Sequence, residues 1–153
     1  MVRAWETGTA CTIAMRFVDT NVLIYAHDRD AGEKRRMAAG LLTQLWETGE
    51  GCLSTQVLQE FLVNVTRKIP TPLAMSDARE LIRTYSPWVR VATEPAMVLR
   101  ATEIAEVWRL SFWDSMIVAG AEASGASVVY SEDLAHGQII SGIRIENPFR
   151  LTG

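Results

Sequence analysis

Asp19 interrupts an apolar run, Phe17-Val18-Asp19-Thr20-Asn21-Val22-Leu23-Ile24. A lone carboxylate in such a run is costly to bury unless something pairs with it. The run reads as a short buried strand ending at Asp19, followed by a helix from near Asn21. Asp133 has a similar setting, since Ser131 and Glu132 alone separate it from the apolar run Val128-Val129-Tyr130. Asp114 opens a stretch to about Ala123 that is apolar nearly all round, so it reads as a buried helix leading into the Val128 strand. In a parallel sheet, strands end and the following helices begin at one edge, where such sheets bind ligands. The three carboxylates can therefore converge.

Each has a simpler reading. Asp19 and Asp114 suit helix N-caps, and Asp133 suits a turn. Their agreement on one sheet edge favours a shared site. Clustered carboxylates repel and take up protons unless a cation sits among them. Hard oxygen ligands suit Mg²⁺ or Mn²⁺. Such an ion lowers the pKa of a bound water and offsets charge on a phosphoryl group. The implied chemistry is hydrolysis of a phosphate ester or diester. No catalytic Cys–His pair, serine-hydrolase elbow or Gly-rich phosphate loop is visible in the sequence.

The elements that position these residues follow from periodicity. Glu33–Trp46 carries Met37, Ala38, Leu41, Leu42 and Leu45 on one helical face, and Gly49 and Gly51 stop it. Cys52–Ser54 is a short strand, and Ser54 or Thr55 caps a helix through about Arg67. Its stripe is Val57, Leu58, Phe61, Leu62 and Val65. Glu60 and Asn64 share one flank of that helix, where a solvated glutamate is the simpler reading for Glu60. A helix over about Ser76–Tyr85 precedes Pro87, and Trp88–Val91 alternates like a strand. Pro95 suits the first turn of a helix through about Trp108. Ile139–Ile145 supplies a last strand. Strands alternating with helices imply a parallel α/β sheet.

The chain has 153 residues, which suggests one domain with a full core, and its 48% hydrophobic and 22% charged content is ordinary for a globular protein. Residues 1–14 lack periodicity and read as a loose extension, with Met15 a workable start and one domain over 15–150. No apolar run is long enough to span a membrane. Cys11 and Cys52 form no ligand motif and read as reduced thiols, which points to a cytoplasmic location. A net charge of −3 argues against broad nonspecific nucleic-acid binding. Lys34-Arg35-Arg36 and Arg67-Lys68 are local basic clusters suited to backbone contacts. Trp46, Trp88, Trp108 and Trp113 could serve a core or an interface.

Phe17-Val18-Asp19-Thr20-Asn21-Val22-Leu23-Ile24-Tyr25-Ala26 resembles the opening motif of PIN-domain nucleases. Gln59-Glu60-Phe61 with Asn64, Ser111-Phe112-Trp113-Asp114, and Tyr130-Ser131-Glu132-Asp133-Leu134 match the later motifs in order. The resemblance spans about Met15 to Phe149, and the nearest group is the VapC-type ribonuclease toxins. It implies a three-layer α/β/α sandwich around a parallel sheet. It also implies an acidic pocket of Asp19, Glu60, Asp114 and Asp133 that binds Mg²⁺, with Mn²⁺ able to substitute. Asn21, Ser131 and Asn64 match supporting positions. The expected activity is hydrolysis of RNA phosphodiester bonds, with a cognate antitoxin and a homodimer as partners. The family often adds an acidic residue just after the Asp133 position. Here Leu134 and Ala135 follow, so a second tightly held metal loses support. An aspartyl-phosphatase would need a second Asp where Asn21 stands. A silent PIN-like binding module sits poorly with four intact acidic positions.

Overall fold

Short apolar runs separated by amphipathic stretches give the chain its alternation of strands and helices. The computed structural model describes residues 14–150. The strands are β1 (Met15–Val18), β2 (Gly51–Cys52), β3 (Ala126–Tyr130), β4 (Ile139–Ile140) and β5 (Ile143–Glu146). The helices are α1 (Thr20–His27), α2 (Glu33–Thr48), α3 (Thr55–Arg67), α4 (Met75–Tyr85), α5 (Pro95–Trp108) and α6 (Phe112–Ala123). The expected extension over residues 1–14 lies, except for Ala14, outside the described residues.

The sheet runs in the order β2-β1-β3-β5-β4. β1 pairs in parallel with β2 and β3, and β3 with β5; only β4 is antiparallel. The register sets Phe17 beside Cys52 on one side and Val129 on the other. Phe17, Val18 and Val129 are fully buried, as the central strands of a covered parallel sheet must be. Helices flank the sheet: α1 packs on α2 and α3, while α6 packs on α5, β3 and β5. This is the α/β/α layering that the family resemblance implies.

Two expectations differ from the structure. Trp88–Val91 forms no strand. Ser86–Trp88 is a 3-10 turn with Pro87 in its first positions, and Val89 makes one parallel bridge to Leu53. Ile139–Ile145 is a hairpin rather than one strand. Ser141 and Gly142 take φ values of 53° and 81°, the paired left-handed geometry of a tight hairpin turn. Gly51 has a packing reason of its own, because a Cβ there would lie 2.7–2.9 Å from three ring atoms of Trp88. Of the tryptophans weighed for core or interface, Trp88 is buried and stacks near Trp46, Trp108 is half-buried against the core, and Trp113 is 62% exposed.

Candidate active site

Asp19 stands where β1 ends and α1 begins. Its backbone N–H donates to the Tyr130 carbonyl at 2.9 Å, which carries the β1–β3 pairing one residue past the strand. The carboxylate is 5% exposed. Oδ1 accepts from the Thr20 N–H at 2.7 Å, so Asp19 is the N-cap of α1. Oδ2 accepts from the Ser131 hydroxyl at 2.7 Å and the Asn21 amide at 3.4 Å. One oxygen caps a helix and the other is fixed from β3, so capping and a place in the site coexist. Burial pushes the Asp19 carboxyl up to about 7; the Ser131 and Thr20 bonds oppose this, and the charges of Asp133 and Glu60 add to it.

β3 delivers Ser131 and Asp133. The Ser131 hydroxyl also accepts from the N–H groups of Asp133 at 3.1 Å and Leu134 at 3.3 Å, closing a tight turn that presents Asp133. Asn21 links this turn to α1. Its amide donates to Asp133 Oδ2 at 3.0 Å, and its Oδ1 accepts from the Glu132 N–H at 3.2 Å. Glu132 points away from the site. It accepts from the Tyr25 hydroxyl at 2.6 Å and pairs with Lys34. Lys34 lies 4.9 Å from the Tyr25 ring centroid. Within the expected basic cluster at Lys34–Arg36, Lys34 braces the turn and Arg36 pairs with Glu33 at the surface.

Glu60 reaches the cleft from the flank of α3. Ser54 caps that helix, and its buried stripe is Val57, Phe61 and Val65, with Glu60 to one side. The Thr20 hydroxyl donates to Glu60 Oε1 at 2.7 Å. The Asn64 amide donates to the Glu60 carbonyl at 2.8 Å; it serves the helix backbone and reaches no carboxylate among the described residues. Asp114 is the third residue of α6, not its cap. Ser111 takes the cap, accepting from the Asp114 N–H at 3.1 Å. The Asp114 carboxylate accepts no hydrogen bond among the described residues, which leaves it free for the cleft.

All four carboxylates line one cleft of about 280 Å³, together with Thr20, Asn21, Asn64 and Trp113, and with Ile24 and Ile117 as its apolar wall. Its oxygen donors suit a hard divalent cation. Among the described residues no three His, Cys, Asp or Glu side chains come close enough to share one ion directly. The cleft thus fits an ion held by one or two carboxylates, with water mediating the rest, the usual habit of Mg²⁺.

The PIN domain, as a family, matches residues 16–139. The chain belongs to the PIN-domain family. Solved structures share this PIN fold. DNA-bound VapBC from Salmonella typhimurium superposes with a TM-score of 0.62 at 21% identity, covering 89% of this chain and 99% of that one. A toxin–antitoxin complex from Klebsiella pneumoniae gives 0.62 at 17%, with 89% and 99% covered. Mycobacterium tuberculosis VapC20, described as a sarcin-ricin loop cleaving toxin, gives 0.52 at 23%, with 77% and 89% covered. At these identities the likeness speaks for the fold. No curated protein sequence matches the chain.

Two features of this PIN domain escaped the sequence. Thr20 fixes Glu60, and the Glu132–Lys34–Tyr25 group braces the Asp133 turn. Thr20 adjoins Asp19, and a hydroxyl beside a candidate ligand is the signal that could have marked it. Lys34 carried no such signal, because its partner lies 98 residues away.

Proposed function

We propose that this PIN domain is a Mg²⁺-dependent endoribonuclease, with Mn²⁺ able to substitute, and the toxin of a type II toxin–antitoxin pair. The observation that carries the reading is the convergence of Asp19, Glu60, Asp114 and Asp133 on one cleft at the strand ends of a PIN-family chain. The toxin–antitoxin and sarcin-ricin loop cleaving neighbours support the choice of RNA and of an antitoxin partner.

Asp19, Asp114 and Asp133 hold the ion, directly or through water. When bound, it offsets phosphate charge and makes a water more acidic. Asp19 is held rigid by three donors and Asp133 by Asn21, so both are in place before substrate arrives. Glu60, held by Thr20, orients the attacking water. Ile24 and Ile117 lower the local dielectric and so strengthen charge interactions in the cleft.

Leu99 and Val107 of α5 and Ile139 of β4 are exposed apolar residues suited to the antitoxin or to a second copy of the chain. A cytoplasmic location accords with this reading, and among the described residues no helix is long and apolar enough to cross a membrane.

The decisive experiment profiles cleavage of total cellular RNA by wild type and Asp19→Asn, each with Mg²⁺, with Mn²⁺ and with chelator. Metal-dependent cleavage by wild type alone is expected. Intact RNA under every condition would return the chain to a binding module.

A further inference from the structure

Glu60, Asn64 and Trp113 line the acidic cleft and also one side of a second groove of about 370 Å³. Gln56, Gln59, Val63 and Lys68 complete that groove. It runs along α3 past the start of α6, so it continues directly from the carboxylates.

Three observations say what it takes. Trp113 leaves most of its indole in solvent, an unusual state for so large an aromatic surface on a helix. Lys68 is exposed and forms no ion pair among the described residues, so its ammonium is available at the end of the groove. Gln56 is 5% exposed, and its Oε1 has no hydrogen-bond partner, while its Nε2 donates to the Trp113 carbonyl at 3.4 Å. A buried acceptor without a donor is an unmet demand. Gln56 lines the groove and the last torsion of a glutamine is soft, so turning the amide, at the expense of its long bond to Trp113, brings that oxygen toward the groove.

An aromatic platform, an unmet acceptor and a free ammonium beside a phosphodiester-cleaving cleft match one nucleotide of a single strand. We propose that this groove is a base-binding subsite for single-stranded RNA leaving the acidic cleft. A base stacks on the Trp113 indole, its N–H group donates to Gln56 Oε1, and Lys68 pairs with a flanking phosphate. The inference rests on the ribonuclease reading and deepens it by naming residues that select the RNA.

The test measures affinity by fluorescence anisotropy of a labelled random RNA octamer, in Mg²⁺, on an Asp19→Asn background that leaves the RNA uncut. Trp113→Ala should weaken binding about tenfold or more, the scale of one lost stacking contact. Trp113→Phe keeps an aromatic face and should stay within about threefold. Gln56→Met removes the acceptor at similar volume and should change the base preferred at one position when the bound pool is sequenced. Trp113→Ala affinity within about twofold of its parent, with wild type cleaving RNA, overturns the subsite alone and returns the groove to a protein partner. Wild type that leaves RNA intact with both metals overturns the ribonuclease reading and the subsite with it.

Discussion

Ser131 Oγ donates to Asp19 Oδ2 at 2.7 Å across a sequence separation of 112 residues, and both side chains are buried. The same hydroxyl accepts the N–H groups that shape the Asp133 turn. One atom thus sets both the charge on Asp19 and the position of Asp133. Its bond favours the ionised form of Asp19, against a burial penalty that favours the neutral form.

Ser131→Ala should therefore raise the Asp19 pKa further and loosen the turn. Outer groups of this kind are typically worth about 10–100-fold in metal affinity or activity. The pH–rate profile of RNA cleavage should fall by that order at neutral pH, and its acid limb should move to higher pH. A uniform drop with an unmoved limb would assign Ser131 to the turn alone.

Asp19 should make the metal-free protein lose stability as pH rises. Unfolded, Asp19 loses its proton near its ordinary value of 3.8; folded, it holds the proton up to about 7. Between these values the folded state binds more protons, so each pH unit in that window costs about 1.4 kcal/mol from this group. Thermal melts in chelator should show the wild-type Tm falling relative to that of Asp19→Asn from pH 4 toward pH 7, since half-buried His27, whose pKa is lowered, acts in the other direction in both proteins. A wild-type slope equal to that of Asp19→Asn would remove Asp19 as its source.

Addition of Mg²⁺ or Mn²⁺ at pH 7 should raise Tm, since a ligand bound only by the folded state stabilises it. At an ion concentration about 100 times its dissociation constant the gain is about 2.7 kcal/mol. Asp19→Asn should lose most of this gain. An unchanged Tm at millimolar metal would count against an ion in the cleft.

Strand–helix alternation made the convergence of Asp19, Asp114 and Asp133 legible, because βαβ handedness puts strand ends and helix starts at one edge. Periodicity failed where one particular neighbour or a distant partner decides. Trp88–Val91 alternates like a strand, but Pro87 holds a 3-10 turn and Trp88 is drawn onto Gly51. Asp114 looked like a cap, yet Ser111 stands three residues earlier and takes that role. The bracing role of Lys34 was not legible, because its partner Glu132 lies 98 residues away. Glu60 was indistinguishable from a solvated glutamate by spacing, because its anchor, Thr20, is 40 residues away.

Gly51→Ala should destabilise the fold. The added Cβ would fall 2.7–2.9 Å from Trp88 ring atoms, and that ring is itself buried and stacked near Trp46. Overpacking of this kind costs about 1–3 kcal/mol. Urea denaturation should show a lower midpoint with an unchanged slope. Full wild-type stability would mean that Trp88 moves aside freely.

Thr20→Val separates the anchoring of Glu60 from the packing of α1. Valine keeps the shape of threonine and removes the hydroxyl that donates to Glu60 Oε1 at 2.7 Å. Glu60 is half-buried, so water can replace the lost donor, and the fold should change by no more than about 1 kcal/mol. The positioning of Glu60 cannot be replaced so easily, because a mobile carboxylate spends less time in the productive geometry. Cleavage should fall about 10–100-fold, mainly in kcat, while KM for RNA stays near wild type. Thr20→Ser retains the donor and should recover most of the rate. Equal activity in the Val and Ser variants would show that Glu60 needs no anchor from α1.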